Sequence, residues 1–212
     1  MTDHTFVLAD MAGFTALTEA HGDSEAADAA AEFMAACRAR LSQHDADEVK
    51  TLGDGVLLHT DCASAGLGLA VRLMAELGRR DRRLGLRVAV HTGTAVPRDG
   101  DWFGAAVNTV ARVSAVVRTG ELVATAAALH AAEPGPPATS LGTQRFKHVQ
   151  LPVELFAVQV PDTPQPMLVD PVCRMALAAG DAPHRARHSG EDYVFCSASC
   201  MRRFVEDPVF FA

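Results

Sequence analysis

The chain has 212 residues, of which 49% are hydrophobic, and a formal net charge of −7. This length allows one medium-sized domain and a small one, and the negative charge argues against binding to nucleic acid or to an anionic membrane surface. No apolar run is long enough to span a membrane, and the N-terminus lacks the positive and apolar segments of a signal peptide. These features predict a soluble, cytoplasmic protein with neither nucleic acid nor membrane as a partner.

Residues 6–10 form a short apolar run that ends in Asp10, which predicts a buried strand. Thr15 is the expected N-cap of the helix that follows, with Thr18 as the alternative. An Ala-rich helical stretch continues from there, and we expect a break in it near Gly22.

Two strands at residues 48–52 and 56–59 flank the sequence Gly53-Asp54-Gly55, which predicts a tight hairpin. An amphipathic helix at 63–80 and a strand at 86–91 follow. The order strand, helix, strand, strand, helix, strand is typical of the α+β, ferredoxin-like (βαββαβ) fold. We therefore expect an antiparallel sheet with helices on one face and the other face left for a partner.

The next part of the chain begins with a turn at residues 98–101 and continues as an Ala/Val-rich helix. A strand at 121–124 and a helix at about 125–132 follow, and short strands at 146–148 and 153–158 complete the domain. Asn108 and Arg112 are four residues apart, so they share one face of the predicted helix. An amide beside a permanently charged, planar guanidinium suits a sugar oxygen and a phosphate, although a solvated helix face explains the pair as well.

Asp10 and Asp54 stand where adjacent strands of such a sheet end, so their carboxylates can converge. Two oxygen ligands of this kind suit Mg²⁺ or Mn²⁺ beside substrate phosphates. The alternative is that Asp54 is simply the acid of a hairpin turn. Gly13, ahead of a helix N-terminus, lets the backbone approach an anion. Lys50 lies in an apolar strand and either faces outward or points to a ligand.

Three segments, residues 6–15, 50–54 and 101–112, together resemble the motifs of the class III nucleotidyl cyclases, in the order of that family. The resemblance covers about residues 5 to 158. It implies that Asp10 and Asp54, with the Met11 carbonyl, hold two Mg²⁺ or Mn²⁺ ions in each active site. It further implies that Asn108 orients the ribose and that Arg112 stabilises charge on the α-phosphate.

The same resemblance assigns the nucleotide base to Lys50 and Asp101. Adenine offers a donor at N6 and an acceptor at N1, so an accepting Asp and a donating Lys are complementary to adenine, whereas guanine has the opposite pattern. ATP is therefore the expected substrate, and cyclic AMP and pyrophosphate are the expected products.

The remaining implied contacts are with the phosphates and with a second subunit. The segment Gly13-Phe14-Thr15 is expected to bind phosphate, and Lys147 is the candidate for the late Lys that the family places on the triphosphate. In this family the metal acids come from one subunit, and the base-reading pair and the Asn/Arg pair come from the other. The complete set in one chain implies a homodimer with two sites.

The C-terminal residues resemble a YHS domain, although its Tyr-His-Ser triplet corresponds here to Arg-His-Ser at 187–189. Three of the five cysteines lie there, at Cys173, Cys196 and Cys200. Three thiolates suit Zn²⁺ or Cu⁺, and the candidates for a fourth ligand are His184, His188 and Met175. Buried cysteines in a minimal core are the alternative.

The predicted organisation is a cyclase domain at 1–159, a Pro-rich linker at 160–167 and a YHS-like metal-binding module at 168–212. The function predicted is that of an adenylate cyclase with a metal- or redox-sensing module. The alternatives are a non-catalytic nucleotide-binding or interaction module on the same fold, and a metal-handling protein in which the first domain serves to dimerise.

Overall fold

A computed structural model describes residues 2–80, 85–161, 168–177 and 182–211. The first part of the chain contains, in order, β1 (Asp3–Ala12), α1 (Phe14–His21), α2 (Asp23–Arg38), β2 (Asp47–Leu52), β3 (Gly55–Thr60), α3 (Ala63–Arg80), β4 (Gly85–Thr94), β5 (Val96–Arg98), β6 (Asp101–Phe103), α4 (Ala105–Ser114), β7 (Leu122–Thr125), α5 (Ala126–Ala131), β8 (Ala138–Gln144) and β9 (Val153–Val158). The C-terminal part contains β10 (Leu168–Val169), β11 (Ala176–Leu177), β12 (His184–His188), β13 (Glu191–Phe195), α6 (Ala198–Glu206) and α7 (Pro208–Phe211).

One seven-stranded sheet organises the first domain, with the strand order β2-β3-β1-β4-β7-β9-β8. Its first four strands, joined by α1, α2 and α3, have the predicted βαββαβ order and are antiparallel. The pair β4 and β7 is parallel, and β9 and β8 extend the sheet in antiparallel register. The α+β fold class predicted from the sequence is confirmed.

The prediction that helices cover only one face of the sheet is wrong. Alternate residues of β1 point to opposite faces, as strand geometry requires. Val7 and Ala9 belong to a core with residues of α1, α2, α3 and α5. Phe6 and Leu8 belong to a second core that includes buried residues of α4. Because α4 has an apolar stripe of its own, it packs on the face that was expected to be free.

Of three local predictions, one is confirmed and two are wrong. Helix α1 begins at Phe14, and its N-cap is Gly13 at φ 86°, not Thr15. The expected break occurs at Gly22, which separates α1 from α2. Residues 146–148 do not form a strand; the missed strand is β8, whose exposed, polar side chains conceal it in the sequence.

The C-terminal module packs a β12–β13 hairpin against α6, with Phe195 and Phe204 in its core. It contacts the first domain at α1, where the Arg203 guanidinium donates to the Glu19 carbonyl at 3.0 Å. Most of the predicted linker, residues 162–167, lies outside the described residues. Among the helices that are described, none combines the length and the apolarity needed to cross a membrane.

Candidate active site and thiol cluster

The two predicted metal acids lie together at one end of the sheet. A two-residue turn, Gly53-Asp54, joins β2 to β3, and the Met11 N–H donates to the Asp54 carbonyl at 3.2 Å. Gly55 stands opposite Asp10 in the β1–β3 ladder, and a Cβ there would lie 3.0 Å from the Asp10 Oδ1 atom. Burial, and then the negative charge of Asp10, raise the pKa of Asp54. The arrangement therefore holds two carboxylates that a cation would stabilise.

A residue that the sequence reasoning missed, Arg87, supplies positive charge at this point. Asp10 and Arg87 are opposite each other in the β1–β4 ladder, and the Arg87 Nε–H donates to the Asp10 Oδ2 atom at 2.5 Å. The Asp10 side chain is 14% exposed, so the ion pair is only partly screened by water. The sequence does contain a signal for Arg87, because it is a charged residue within the apolar strand 86–91. Lys50 was identified as a candidate from the same kind of pattern.

The predicted base-reading residues, Lys50 and Asp101, form an ion pair within one chain. Strand β2, at the edge of the sheet, carries Lys50, and the β5–β6 hairpin brings Asp101 to it, with 2.6 Å between Lys50 Nζ and Asp101 Oδ2. The Trp102 N–H donates to Asp101 Oδ1 at 2.7 Å. Hydrogen bonds from Lys50 and from this N–H lower the pKa of Asp101. The pair presents a donor and an acceptor side by side.

Asn108 and Arg112 lie on the exposed side of α4, opposite the buried stripe that contacts the sheet. Both line a cavity of about 400 Å³ together with Lys147 and His148. The cavity brings Lys147 beside Asn108 and Arg112, the predicted ribose- and phosphate-binding residues. The Asn108, Arg112 and Lys147 side chains can together bind one anionic ligand.

The Asp10–Asp54 pair makes its polar contacts separately from the other two groups of residues. Among the described residues, no hydrogen bond or ion pair links the Asp10–Asp54 pair to Lys50, Asp101, Asn108 or Arg112. The side chains of Asn108 and Arg112 also point away from the sheet that carries Asp10.

The three predicted cysteines converge in the C-terminal module. The Cys196 Sγ atom lies 3.5 Å from Cys173 Sγ and 3.6 Å from Cys200 Sγ. The buried Asp170 carboxylate fixes this arrangement, since it accepts from the Val172 N–H and the Cys196 N–H, both at 2.8 Å. The Ser197 side chain caps α6 by accepting from the Cys200 N–H at 3.1 Å, which sets Cys200 in the first helical turn.

The imidazole that joins the three sulfurs comes from the other domain, which the sequence reasoning did not anticipate. His21, the last residue of α1, has its Nε2 atom 3.6 Å from Cys196 Sγ and 3.8 Å from Cys200 Sγ. Of the candidates named from the sequence, His188 packs edge-on against the Phe204 ring instead, and His184 is not in the cluster. The interdomain contact depends on tertiary structure, so no local signal could have identified His21.

Family models match both parts of the chain. The adenylate and guanylate cyclase catalytic domain matches residues 1–151, and the YHS domain matches residues 168–212. The chain belongs to the adenylate and guanylate cyclase family. Class III cyclase domains use divalent metals such as Mg²⁺ or Mn²⁺, and the carboxylates of Asp10 and Asp54 are suitable donors for such ions.

Curated relatives of this chain include mycobacterial proteins. An uncharacterized protein of Mycobacterium tuberculosis is 32% identical over 76% of this chain and 44% of its own length. A pH-sensitive adenylate cyclase of the same species is 30% identical over 73% of this chain and 40% of its own length. The chain therefore spans less than half the length of these relatives.

Solved cyclase structures share the fold. An adenylate/guanylate cyclase/hydrolase from Silicibacter pomeroyi superposes with a TM-score of 0.65 at 28% identity, covering 76% of this chain and 98% of the other chain. A non-canonical dimeric guanylyl cyclase domain from Blastocladiella emersonii gives a TM-score of 0.65 at 17% identity, covering 74% of this chain and 96% of the other chain. The second likeness concerns the fold alone.

Proposed function

We propose that the protein is an adenylate cyclase that converts ATP to 3′,5′-cyclic AMP and pyrophosphate at sites shared by two copies of the chain. The observation that carries the proposal is the Lys50–Asp101 ion pair, a donor beside an acceptor at 2.6 Å, in the same domain as the adjacent carboxylates of Asp10 and Asp54. The adenylate cyclase relatives support the same substrate.

In this proposal Asp10 and Asp54, with the Met11 carbonyl, hold two Mg²⁺ or Mn²⁺ ions. When bound, such ions supply charge stabilisation to the triphosphate and lower the pKa of the ribose 3′-hydroxyl. Arg87 neutralises Asp10 through their ion pair. A cation held by Asp10 would compete with Arg87 for this carboxylate, and the Arg87 guanidinium could then bind the phosphates.

The reaction is an intramolecular phosphoryl transfer. The 3′-oxygen forms a bond to the α-phosphorus, the bond from that phosphorus to the bridging oxygen of the β-phosphate breaks, the hydroxyl proton passes to solvent, and pyrophosphate leaves. Asn108 orients the ribose and Arg112 stabilises the charge that develops on the α-phosphate. Lys147, beside both in their cavity, and the backbone at Gly13, Phe14 and Thr15 bind the remaining phosphates.

The choice of ATP over GTP is tested by exchanging the charges of the base-reading pair. The double variant Lys50→Glu/Asp101→Lys keeps an ion pair but inverts the order of donor and acceptor. We expect the ratio of kcat/KM for ATP to that for GTP to fall by about 10²-fold or more, because the exchanged pair would leave the hydrogen-bonding groups of adenine without matching partners. An unchanged ratio in a folded, active double variant would show that another feature selects the base.

The direction in which Asn108 and Arg112 face supports the homodimer. Asn108 and Arg112 point away from the sheet that carries Asp10, so we infer that they serve the metal acids of a second copy. A closed dimer with two-fold symmetry would then contain two complete sites.

Mixed dimers test this arrangement. Asp10→Ala and Arg112→Ala are each expected to abolish activity alone and to regain about one working site per heterodimer when co-expressed. The matched control combines Asp10→Ala with Asp54→Ala, because both remove residues from the same half and no complete site can form. A dead Asp10→Ala/Arg112→Ala mixture, beside an active wild type, would exclude the shared site.

The three cysteines of the YHS domain offer soft donors, and we infer a metal-sensing role for them, with Zn²⁺ or Cu⁺ as the ion. A non-catalytic binding module on the cyclase fold is the second candidate function. The presence of Asp10, Asp54 and Arg112 together favours catalysis, and cyclic AMP production by purified protein with Mg²⁺ or Mn²⁺ distinguishes the two.

A further inference from the structure

We propose that His21 of the cyclase domain completes, with Cys173, Cys196 and Cys200, a four-ligand Zn²⁺ site that is shared between the two domains. The four donor atoms all lie within 4.8 Å of one another. The site goes beyond the cyclase activity, and beyond a metal bound by the YHS domain alone, because one ligand belongs to α1.

The distances fit a tetrahedral zinc ion. With zinc–sulfur bonds of about 2.3 Å and zinc–nitrogen bonds of about 2.0 Å, tetrahedral geometry places sulfurs about 3.8 Å apart and a sulfur about 3.5 Å from a nitrogen. The sulfur–sulfur distances here are 3.5 and 3.6 Å, and the sulfur–nitrogen distances are 3.6 and 3.8 Å. A disulfide would need about 2.05 Å, so the cysteines are free and spaced for an ion.

The types of donor atom in the cluster favour zinc over other metals. Three thiolates and one imidazole form one of the usual closed structural zinc sites. Cys173 and Cys200 are each 1% exposed, so water has little access to a fifth position. On the other side of the imidazole, His21 Nδ1 lies 3.6 Å from the Glu25 carboxylate. A carboxylate beside the second ring nitrogen orients a ligating histidine and raises its basicity.

A shared ion would fix the YHS domain against the start of the catalytic segment. Cys173 is followed by Arg174, whose Cβ lies against Gly13: a Cβ added to Gly13 would be 2.4 Å from it. Gly13 in turn follows Asp10 by three residues and is the N-cap of α1. The module therefore touches α1 at both ends, at Gly13 and at His21, and the ion would hold the second of these contacts.

The test measures metal binding in the full chain with Co²⁺ and Zn²⁺ as probes. Wild type is expected to bind one Co²⁺ with the absorption of a tetrahedral thiolate site, displaced by one Zn²⁺. His21→Ala is expected to lose more than about 100-fold in Zn²⁺ affinity, measured by chelator competition. Mutating a residue that only hydrogen-bonds to a metal ligand already lowers metal affinity about 10–100-fold, so the loss of a ligand should lower it further. His21→Cys is expected to restore binding, because four cysteines also form a zinc site.

The matched controls are His184→Ala and His188→Ala, which remove the module's own histidines and are expected to leave affinity and spectrum unchanged. Thermal unfolding of each metal-free variant checks that the fold persists. The proposal is overturned if His21→Ala binds Zn²⁺ as tightly as wild type with the same Co²⁺ spectrum. It is equally overturned if only Cu⁺ binds and His21→Ala leaves that binding unaltered.

Discussion

The two ends of α1 carry two different kinds of site. At its N-terminal end stand the carboxylates of Asp10 and Asp54, and at its C-terminal end stands His21 with the three thiols. The helix has 8 residues, so only about 12 Å separate its ends. One short element therefore connects a site of oxygen donors with a site of sulfur and nitrogen donors.

The two ends differ in their exposure to water and in the groups that neutralise or hold their side chains. The carboxylate end is partly open, because the Arg87 side chain that balances Asp10 is 35% exposed. A site that exchanges ions and substrate needs this access. The thiol end is closed, with its cysteines held by Asp170 and by the cap of α6. Closed four-ligand sites are typical of structural metals, and open ones of catalytic metals.

The largest expected effect is a loss of catalytic activity when the carboxylate end of α1 is changed and the thiol end is left intact. Asp10→Asn removes a metal ligand but keeps the shape of the side chain, so we expect cyclic AMP formation to fall by about 10³-fold, because a catalytic metal contributes several kcal/mol to transition-state stability. Zinc content should be unchanged. Turnover assays with Mg²⁺ and Mn²⁺, together with elemental analysis, measure both. Activity near that of wild type would remove Asp10 from the site.

A smaller effect concerns the contact between the domains. Gly13→Ala places a Cβ 2.4 Å from that of Arg174, at a residue with φ 86°. The left-handed backbone alone costs about 1–2 kcal/mol for a residue other than glycine, and we expect a lower Tm. The pair Gly13→Ala/Arg174→Gly should recover part of the loss, because the second change removes the opposing Cβ. Strictly additive effects on unfolding free energy would show that the two residues are not in contact.

The smallest effect is a dependence of stability on pH at the carboxylate end. The folded pKa of Asp54 is raised above 3.8, so its proton is bound more tightly in the folded chain. Its contribution to stability is therefore present in acid and is lost as the pH rises through the raised pKa. In metal-free protein, Asp54→Asn should raise Tm relative to wild type near neutral pH and less so in acid. Thermal unfolding at the two pH values checks this, and Mg²⁺ should stabilise wild type but not the variant.

Much of the fold and of the candidate active site followed from local signals. The Gly53-Asp54-Gly55 turn between two apolar strands predicted the hairpin that brings Asp54 beside Asp10. The spacing of Asn108 and Arg112 predicted one helix face. Strand β8 was missed because its exposed residues lack the alternation that reveals a half-buried strand. The roles of these residues, and the boundaries of the domains at 1–159 and 168–212, stay predictions.

The sequence by itself determined the βαββαβ order, the donor types and the positions of the acids and the cysteines, because periodicity, turn chemistry and side-chain chemistry are local properties. Only the tertiary structure decided which distant residues meet. It placed α4 on the second face of the sheet, Arg87 on Asp10, and His21 among the thiols of the YHS domain. Such contacts depend on how whole elements pack. The sulfur ligands beside His21, for example, lie more than 150 positions away in the chain, so the sequence around His21 does not indicate them.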